Sequence, residues 1–366
     1  MDLYNWFWSP SVWIPPGYTW EDLAPREGHP YPNSSDLWVY PFIIAGSLLS
    51  LKYFILMPYV YAPIGKYFGV KNKHHKLPPV NLCLEKVYKK YKAEPPQDVM
   101  RSVTSEIGWN ERQIQRWLRQ RGASLQVTKL EKFCDCSWQL TYYILYCILG
   151  FVVHRDKSWL YDVRHCWYGF PEQFLDNDIW WYYMISLGFY WGQTFTHFFT
   201  PQRHDSVQML CHHTVTITLT SLSFMVNMVR IGSLILLVHE CADIPLLLAK
   251  IFGYCRRQKM MDIMFVFFVI LWITTRLGVF PLRLLRSTIF EAHVQQQMFY
   301  PIYYIFNGMI LSIFLMHLFW TYNIIQVIAK KFSAKNIVVD VRSSDDDLPS
   351  NDDEVYPQIK DTKKEK

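Results

Sequence analysis

The sequence predicts an all-α polytopic membrane protein, a bundle of about seven transmembrane helices with a small cytosolic helical module. Three observations predict it. Of 366 residues, 51% are hydrophobic and 17% aromatic, with 15 Trp, 24 Tyr and 24 Phe. Trp and Tyr at this density suit membrane interfaces, where a ring is half apolar and half wet. Seven apolar stretches approach the roughly 20 residues a helix needs to cross a bilayer core. Finally, 15 Lys and Arg fall between the first two stretches, from Lys66 to Lys132.

The N-terminal segment, 1–37, reads "MDLYNWFWSPSVWIPPGY" at its start. It lacks the basic opening of a cleavable signal peptide and is broken by prolines. The first span is expected at 38–57, within a segment 38–60, and a cytosolic loop at 61–129. Six further spans are expected within 130–332, at 137–153, 179–199, 208–226, 231–252, 262–282 and 301–325. The second is short and the fourth is polar. The basic loop sets the orientation, because Lys and Arg collect on the cytosolic side. "GYCRRQK" and Lys330–Lys331 then fall on that same side, while Arg283 and Arg286 fall opposite. The N-terminus is therefore expected in the lumen, with Asn33-Ser34-Ser35 as its glycosylation sequon. The eight cysteines are scattered, and that spacing argues against a disulfide framework.

From Ser333 the chain turns polar, and 333–366 reads as an acidic cytosolic tail without a core of its own. Ser343, Ser344 and Ser350 each have an acid three residues on, the pattern of an acid-directed kinase site, although a plain solvated tail fits as well. The final "KKEK" resembles the dilysine retrieval signal of endoplasmic reticulum membrane proteins. In the cytosolic loop, "IGWNERQIQRWLRQRGA" predicts a helix. Asn110 caps it with Gln113 reaching back, and Trp109 packs on Ile114. Ile114, Trp117, Leu118 and Arg121 share one face. This segment resembles a homeodomain recognition helix, preceded by a helix at "PQDVMRSVTSEI". Gln120 and Gly122 stand where that family has a base-reading Asn and a basic residue, and a loop tethered at a membrane lacks groove access, so no DNA partner is expected. A basic surface facing anionic headgroups or an anionic substrate fits better.

The chemistry lies in the fourth and fifth spans. "LCHHTVTIT" carries His212, His213, Thr214, Thr216 and Thr218, and "VHECAD" carries His239, Glu240 and Asp243. His239 and Asp243 stand at i and i+4, as do His212 and Thr216, so each pair is expected to share a helix face. Ionisable groups at membrane depth are costly and point to function by default. His212 and Asp243 lie roughly 7 Å and 13 Å from the cytosolic surface on antiparallel helices, close enough to meet. A structural polar seam explains one histidine, but three with two acids on neighbouring helices favour catalysis.

The stretch from "RHDSVQMLCHHTVTIT" through "LLVHECADIPLLLAKIF" resembles the Lag motif of ceramide synthases, within their TLC domain. The similarity extends to "WIPPGYTWEDL", "TRLGVFPLRLL" and "IFNGMILSIFLMHLFW", and to the homeobox-like loop. The chain departs at Glu240, where the family usually has Asp. The resemblance implies a sphingoid base N-acyltransferase of the endoplasmic reticulum membrane, with fatty acyl-CoA as co-substrate and no cofactor or metal. It allows a homo- or heterodimer with family members. His212 is then the principal base, or a nucleophile carrying the acyl group, with Asp243 or His239 orienting it. His213 and Thr216 support a developing oxyanion, and any role of a short carboxylate at Glu240 is in doubt. Arg203, Lys250, Arg256, Arg257 and Lys259 would hold coenzyme A at the cytosolic mouth. Residues 283–300 correspond to the segment that the family associates with acyl chain length.

Two other readings remain at this point: a non-enzymatic TLC-domain lipid carrier or sensor, and a seven-helix amidohydrolase with zinc on His212, His239 and Asp243. A di-iron hydroxylase is excluded, since His197, His204, His212 and His213 are too few and too widely spaced. The orientation has a direct test. Asn33→Gln should abolish a glycosidase-sensitive mobility shift in membranes from expressing cells; an unchanged shift places the N-terminus on the other side.

Overall fold

The computed structural model describes residues 3–26, 30–72, 76–125, 127–199, 206–292 and 301–333, with side chains to residue 329. Among them there is no β-strand; every long element is helical. The chain divides into a small unit, Lys71–Lys132, and a larger unit built from the segments on either side of it. The tail serines Ser343, Ser344 and Ser350, together with Arg203 and residues 293–300, lie outside the described residues.

In the small unit three helices, α2 (Leu82–Tyr91), α3 (Gln97–Ile107) and α4 (Glu111–Ser124), enclose one core. Asn81 caps α2 by accepting from the backbone N–H groups of Cys83 and Leu84. The expected capping box opens α4: Gln113 N donates to Asn110 Oδ1 at 2.8 Å, and Asn110 N to Gln113 Oε1 at 3.0 Å. Leu84, Met100, Trp109, Ile114, Trp117 and Leu118 are buried together, as the apolar face of α4 required. Arg121, on the margin of that face, pairs with Glu85 at 2.6 Å.

The larger unit is a helical bundle and the chain is a multi-pass membrane protein. Its helices are α1 (Asp36–Tyr67), α5 (Lys129–His154), α6 (Asn177–His197), α7 (Ser206–Met225), α8 (Val229–Glu240), α9 (Asp243–Tyr254), α10 (Gln258–Glu291) and α11 (Pro301–Ser333). Each of the seven expected stretches lies largely within one helix or, for 231–252, the α8–α9 pair. Five helical runs are both long and apolar enough to cross a bilayer: α1, the run ending in α5, α8 with α9, α10, and α11 as far as Ala329. The other two, α6 and α7, have 21 and 20 residues. That is enough for about 30 Å, but amide, hydroxyl and imidazole side chains reduce their apolarity.

Packing follows the small residues. A Cβ on Gly188 of α6 would stand 2.6 Å from Ile44 Cγ2 and 3.1 Å from the Pro41 carbonyl oxygen of α1. Glycine is what permits that close approach. Lys52 of α1, only 2% exposed, is neutralised by Asp135 of α5 at 2.6 Å. Helical winding widens to an i→i+5 pattern over Leu51–Tyr61 and Ile273–Leu285, segments that contain Pro58 and Pro281.

One expectation is corrected. The fifth span was read as a continuous helix with His239 and Asp243 on one face. Instead α8 ends at Glu240, a turn occupies Cys241–Ala242, and α9 begins at Asp243. Pro245 is the physical reason: it lacks an N–H, and its ring crowds the carbonyl four residues back, that of Cys241. His239 therefore closes one helix and Asp243 opens the next. Gly188→Val should force Ile44 aside and cost about 1–3 kcal/mol, read as a lowered Tm of the detergent-purified protein. An unchanged Tm would show that α1 does not depend on this contact.

Candidate functional site

The break between α8 and α9 is where the polar residues gather. Arg276, in the widened part of α10, is 4% exposed and reaches across to it. Its Nη2 donates to the carbonyl oxygen of His239 and, at 3.3 Å, to Asp243 Oδ2. Its Nη1 lies 3.2 Å from Nε2 of His317 on α11. The guanidinium also sits 5.2 Å from the ring centroid of Trp272. One side chain thus ties together the end of α8, the start of α9 and the middle of α11.

These contacts assign ring tautomers. A guanidinium can only donate, so His317 Nε2 accepts and the hydrogen of the neutral ring is on Nδ1. His317 is fully buried, and its Nδ1 has no partner among the described residues. In His239, Nδ1 lies 2.7 Å from the Ile235 carbonyl oxygen and must donate to it. The neutral ring therefore presents Nε2 as a bare lone pair, and that nitrogen is also unpartnered. The two rings stand 5.0 Å apart, with Phe280 edge-on to both.

His212 on α7 packs edge-on against Trp320 at 5.4 Å. His212 and His239 both line a cavity of about 780 Å³ of non-atom space, open solvent at its mouth included, and Thr216 lines it one turn above His212. Its walls are apolar, supplied by residues such as Leu219, Ile235 and Ile310. It extends past Ser223, about 16 Å along α7 from His212, to Trp167, Thr288 and Phe306 at its far end. The cavity is therefore apolar along its length and carries imidazoles at one end.

The sequence-predicted residues divide accordingly. His212, Thr216 and His239 line the cavity. His213, the next residue around the helix, turns away and meets Tyr190 at a centroid distance of 5.8 Å. Asp243 is held by Arg276 rather than standing free to meet His212. Glu240 is 1% exposed, does not line the cavity, and has no hydrogen-bond partner on either carboxylate oxygen among the described residues. Lys250 is half-buried on α9, while Arg256, Arg257 and Lys259 are exposed at the turn into α10. Asn33 is exposed before α1. Among the described residues no three His, Cys, Asp or Glu side chains converge as a metal-ligand set. Of the zinc trio, Asp243 is paired with Arg276, while His239 donates Nδ1–H to the Ile235 carbonyl and keeps Nε2 unpartnered.

Arg276 and His317 were missed in the sequence. The available signal was a single cation and a single imidazole inside otherwise apolar helices, at a depth where neither is cheap. Glu240 and the free thiols of Cys147 and Cys241 also gather near the break.

The chain matches the TLC domain family over residues 132–326. Ceramide synthase 5 of Mus musculus is 33% identical over 93% of this chain and 82% of its own length. Ceramide synthase 4 of Bos taurus is 32% identical over 98% and 91%. Ceramide synthase 3 of Homo sapiens is 32% identical over 94% and 88%. The role of Arg276 can be weighed directly. Arg276→Ala leaves Asp243 and the His239 carbonyl without their donor and should cost about 3–5 kcal/mol, the usual penalty for breaking a buried pair. Thermal unfolding in detergent reads it; a Tm within error of the parent would mean the break holds itself.

Proposed function

This chain belongs to the ceramide synthase family, and we propose that it is a sphingoid base N-acyltransferase, moving a fatty acyl group from acyl-CoA to the amine of sphinganine or a related long-chain base. One observation carries the reading: an apolar cavity, long enough for a lipid tail, ends on two imidazoles, His212 and His239. A lipid carrier needs the cavity but not the imidazoles. A zinc amidohydrolase needs Asp243 as a ligand beside the histidines, and that carboxylate is paired with Arg276.

The chemistry follows from the side chains. The amine arrives largely protonated near neutral pH, and imidazole titrates in that range, so a histidine can accept the proton that attack requires. His212 is the principal base, or the nucleophile in a two-step route. His239, its tautomer fixed by the Ile235 carbonyl, presents a second lone pair to the same space. The ammonium first releases one proton to solvent. The free amine attacks the thioester carbonyl, and the imidazole takes the second proton from the attacking nitrogen. The tetrahedral intermediate expels the coenzyme A thiolate, and the imidazolium passes that proton to sulfur. Thr216, which lines the cavity, supports the oxyanion stage, while His213 packs against Tyr190. Asp243 and Arg276 act at one remove, by fixing the backbone at His239. The thioester is already activated, so no cofactor or metal is required.

Orientation completes the reading. The acyl tail occupies the cavity toward Trp167 and Phe306, and residues 283–300 limit its length. Coenzyme A stays at the cytosolic mouth, near Arg256, Arg257, Lys259 and Lys250, with Arg203 as a further cation. The protein resides in the endoplasmic reticulum membrane with Asn33 in the lumen and the tail, with Ser343, Ser344 and Ser350, in the cytosol. It is suited to homo- or heterodimers with family members.

His212→Ala and Asp243→Asn should each lower ceramide formation from acyl-CoA by about 10²–10⁴-fold, the usual worth of a general base. Expression and detergent stability of His212→Ala should stay near the parent's, whereas Asp243→Asn also weakens the pair with Arg276 and should lower the Tm. In turnover the double variant should be little worse than either, because members of one catalytic unit are not additive. Turnover should survive EDTA. Substantial turnover by His212→Ala ends this reading, and EDTA inhibition relieved by zinc moves the protein to the metallohydrolases.

A further inference from the structure

We propose that Cys147 and Cys241 are a modification site, a dithiol that a lipid-soluble hydroperoxide oxidises to a disulfide, locking the break between α8 and α9. Their Sγ atoms lie 2.9 Å apart, and both thiols are free. The juxtaposition does not depend on one rotamer, because two further contacts between α5 and α8 fix its register. A Cβ on Gly150 would stand 2.7 Å from Leu237 Cδ1, so these helices touch where only glycine fits. One turn further, His154 Nε2 lies 2.8 Å from Ser233 Oγ. The pairs 147/241, 150/237 and 154/233 descend the antiparallel interface one turn at a time.

The place of the thiols gives the bond a consequence. Cys241 is one of the two residues in the break, with Glu240 before it and Asp243 two residues on. The neighbours that Arg276 grips, the His239 carbonyl and the Asp243 carboxylate, flank it on both sides. Bonded sulfurs stand about 2.05 Å apart. Gly150 and His154 hold the rest of the interface, so the break moves toward α5. That shift re-aims His239, which lines the cavity.

The chemistry balances. Cys241, the more accessible thiol, attacks the peroxide oxygen of ROOH, giving a sulfenic acid and releasing ROH. The Cys147 thiol then attacks that sulfur, forming the S–S bond and releasing water. Two thiols are oxidised, one hydroperoxide is reduced, and an added dithiol reverses the change by exchange.

Membranes holding the full chain, treated with cumene hydroperoxide, alkylated and digested, should yield the Cys147–Cys241 linked peptide by mass spectrometry. Ceramide formation should fall at least fivefold and return with dithiothreitol. Cys147→Ser should keep the parent's untreated activity and resist the oxidant, and Cys147→Ala should do the same if the serine variant does not accumulate. Oxidation of other cysteines without the linked peptide overturns the site, as does a linked peptide with undiminished activity. The activity arm rests on the acyl-transfer reading, but the peptide is read without turnover. Ceramide absent from untreated membranes would therefore count against that reading alone.

Discussion

The site depends on a buried guanidinium. Arg276 is expensive to hold among membrane helices, and it is held because each of its contacts is itself in need of a partner. The His239 carbonyl lies in the last turn of a helix that ends there, Asp243 opens a new helix, and His317 Nε2 has no other donor. Truncating Arg276 removes a donor from all three at once, in a medium that cannot replace it with water. This mutual need converts a local backbone fault, caused by Pro245, into a defined geometry rather than a floppy joint.

That geometry sets what the imidazoles can do. Because the His239 carbonyl is fixed by Arg276 and its Nδ1 by Ile235, the ring has little freedom of tautomer or aim. The ring lines the cavity that His212 reaches from the neighbouring helix. A polar end on an otherwise apolar chamber suits a reaction between two lipids, in which the tails are buried and only the amine and the thioester need polar groups. The His317 ring lies 5.0 Å from that of His239 and accepts from Arg276.

The interfaces that carry this arrangement rest on small residues and on isolated polar pairs. Gly188 lets α1 lie against α6, Gly150 lets α5 lie against α8, and Lys52 with Asp135 joins α1 to α5. Lipid supplies no hydrophobic drive between helices, so close backbone approach and satisfied polar groups hold the bundle. The thiol pair Cys147–Cys241 belongs to the same α5–α8 interface.

Much of this was determined by the sequence alone. Apolar length placed the spans, since a bilayer imposes one dimension on every helix. Asn110 and Gln113 fixed the start of α4, since capping is decided within four residues. The imidazoles in "CHHT" and "VHEC" pointed to the candidate site, because polar groups at that depth are costly. What the sequence could not decide is which way those side chains face. His212 and His213 are adjacent in the chain and part company on the helix, one to the cavity and one to Tyr190. His239 and Asp243 have the spacing of one helix face, but Pro245 divides them between two helices. Arg276 and His317 lie 37 and 78 residues beyond His239, and only the packing of α10 and α11 against the break brings them to it. Local rules set each helix and its ends; partners distant in the chain are chosen by which unpaired groups the tertiary fold leaves facing one another.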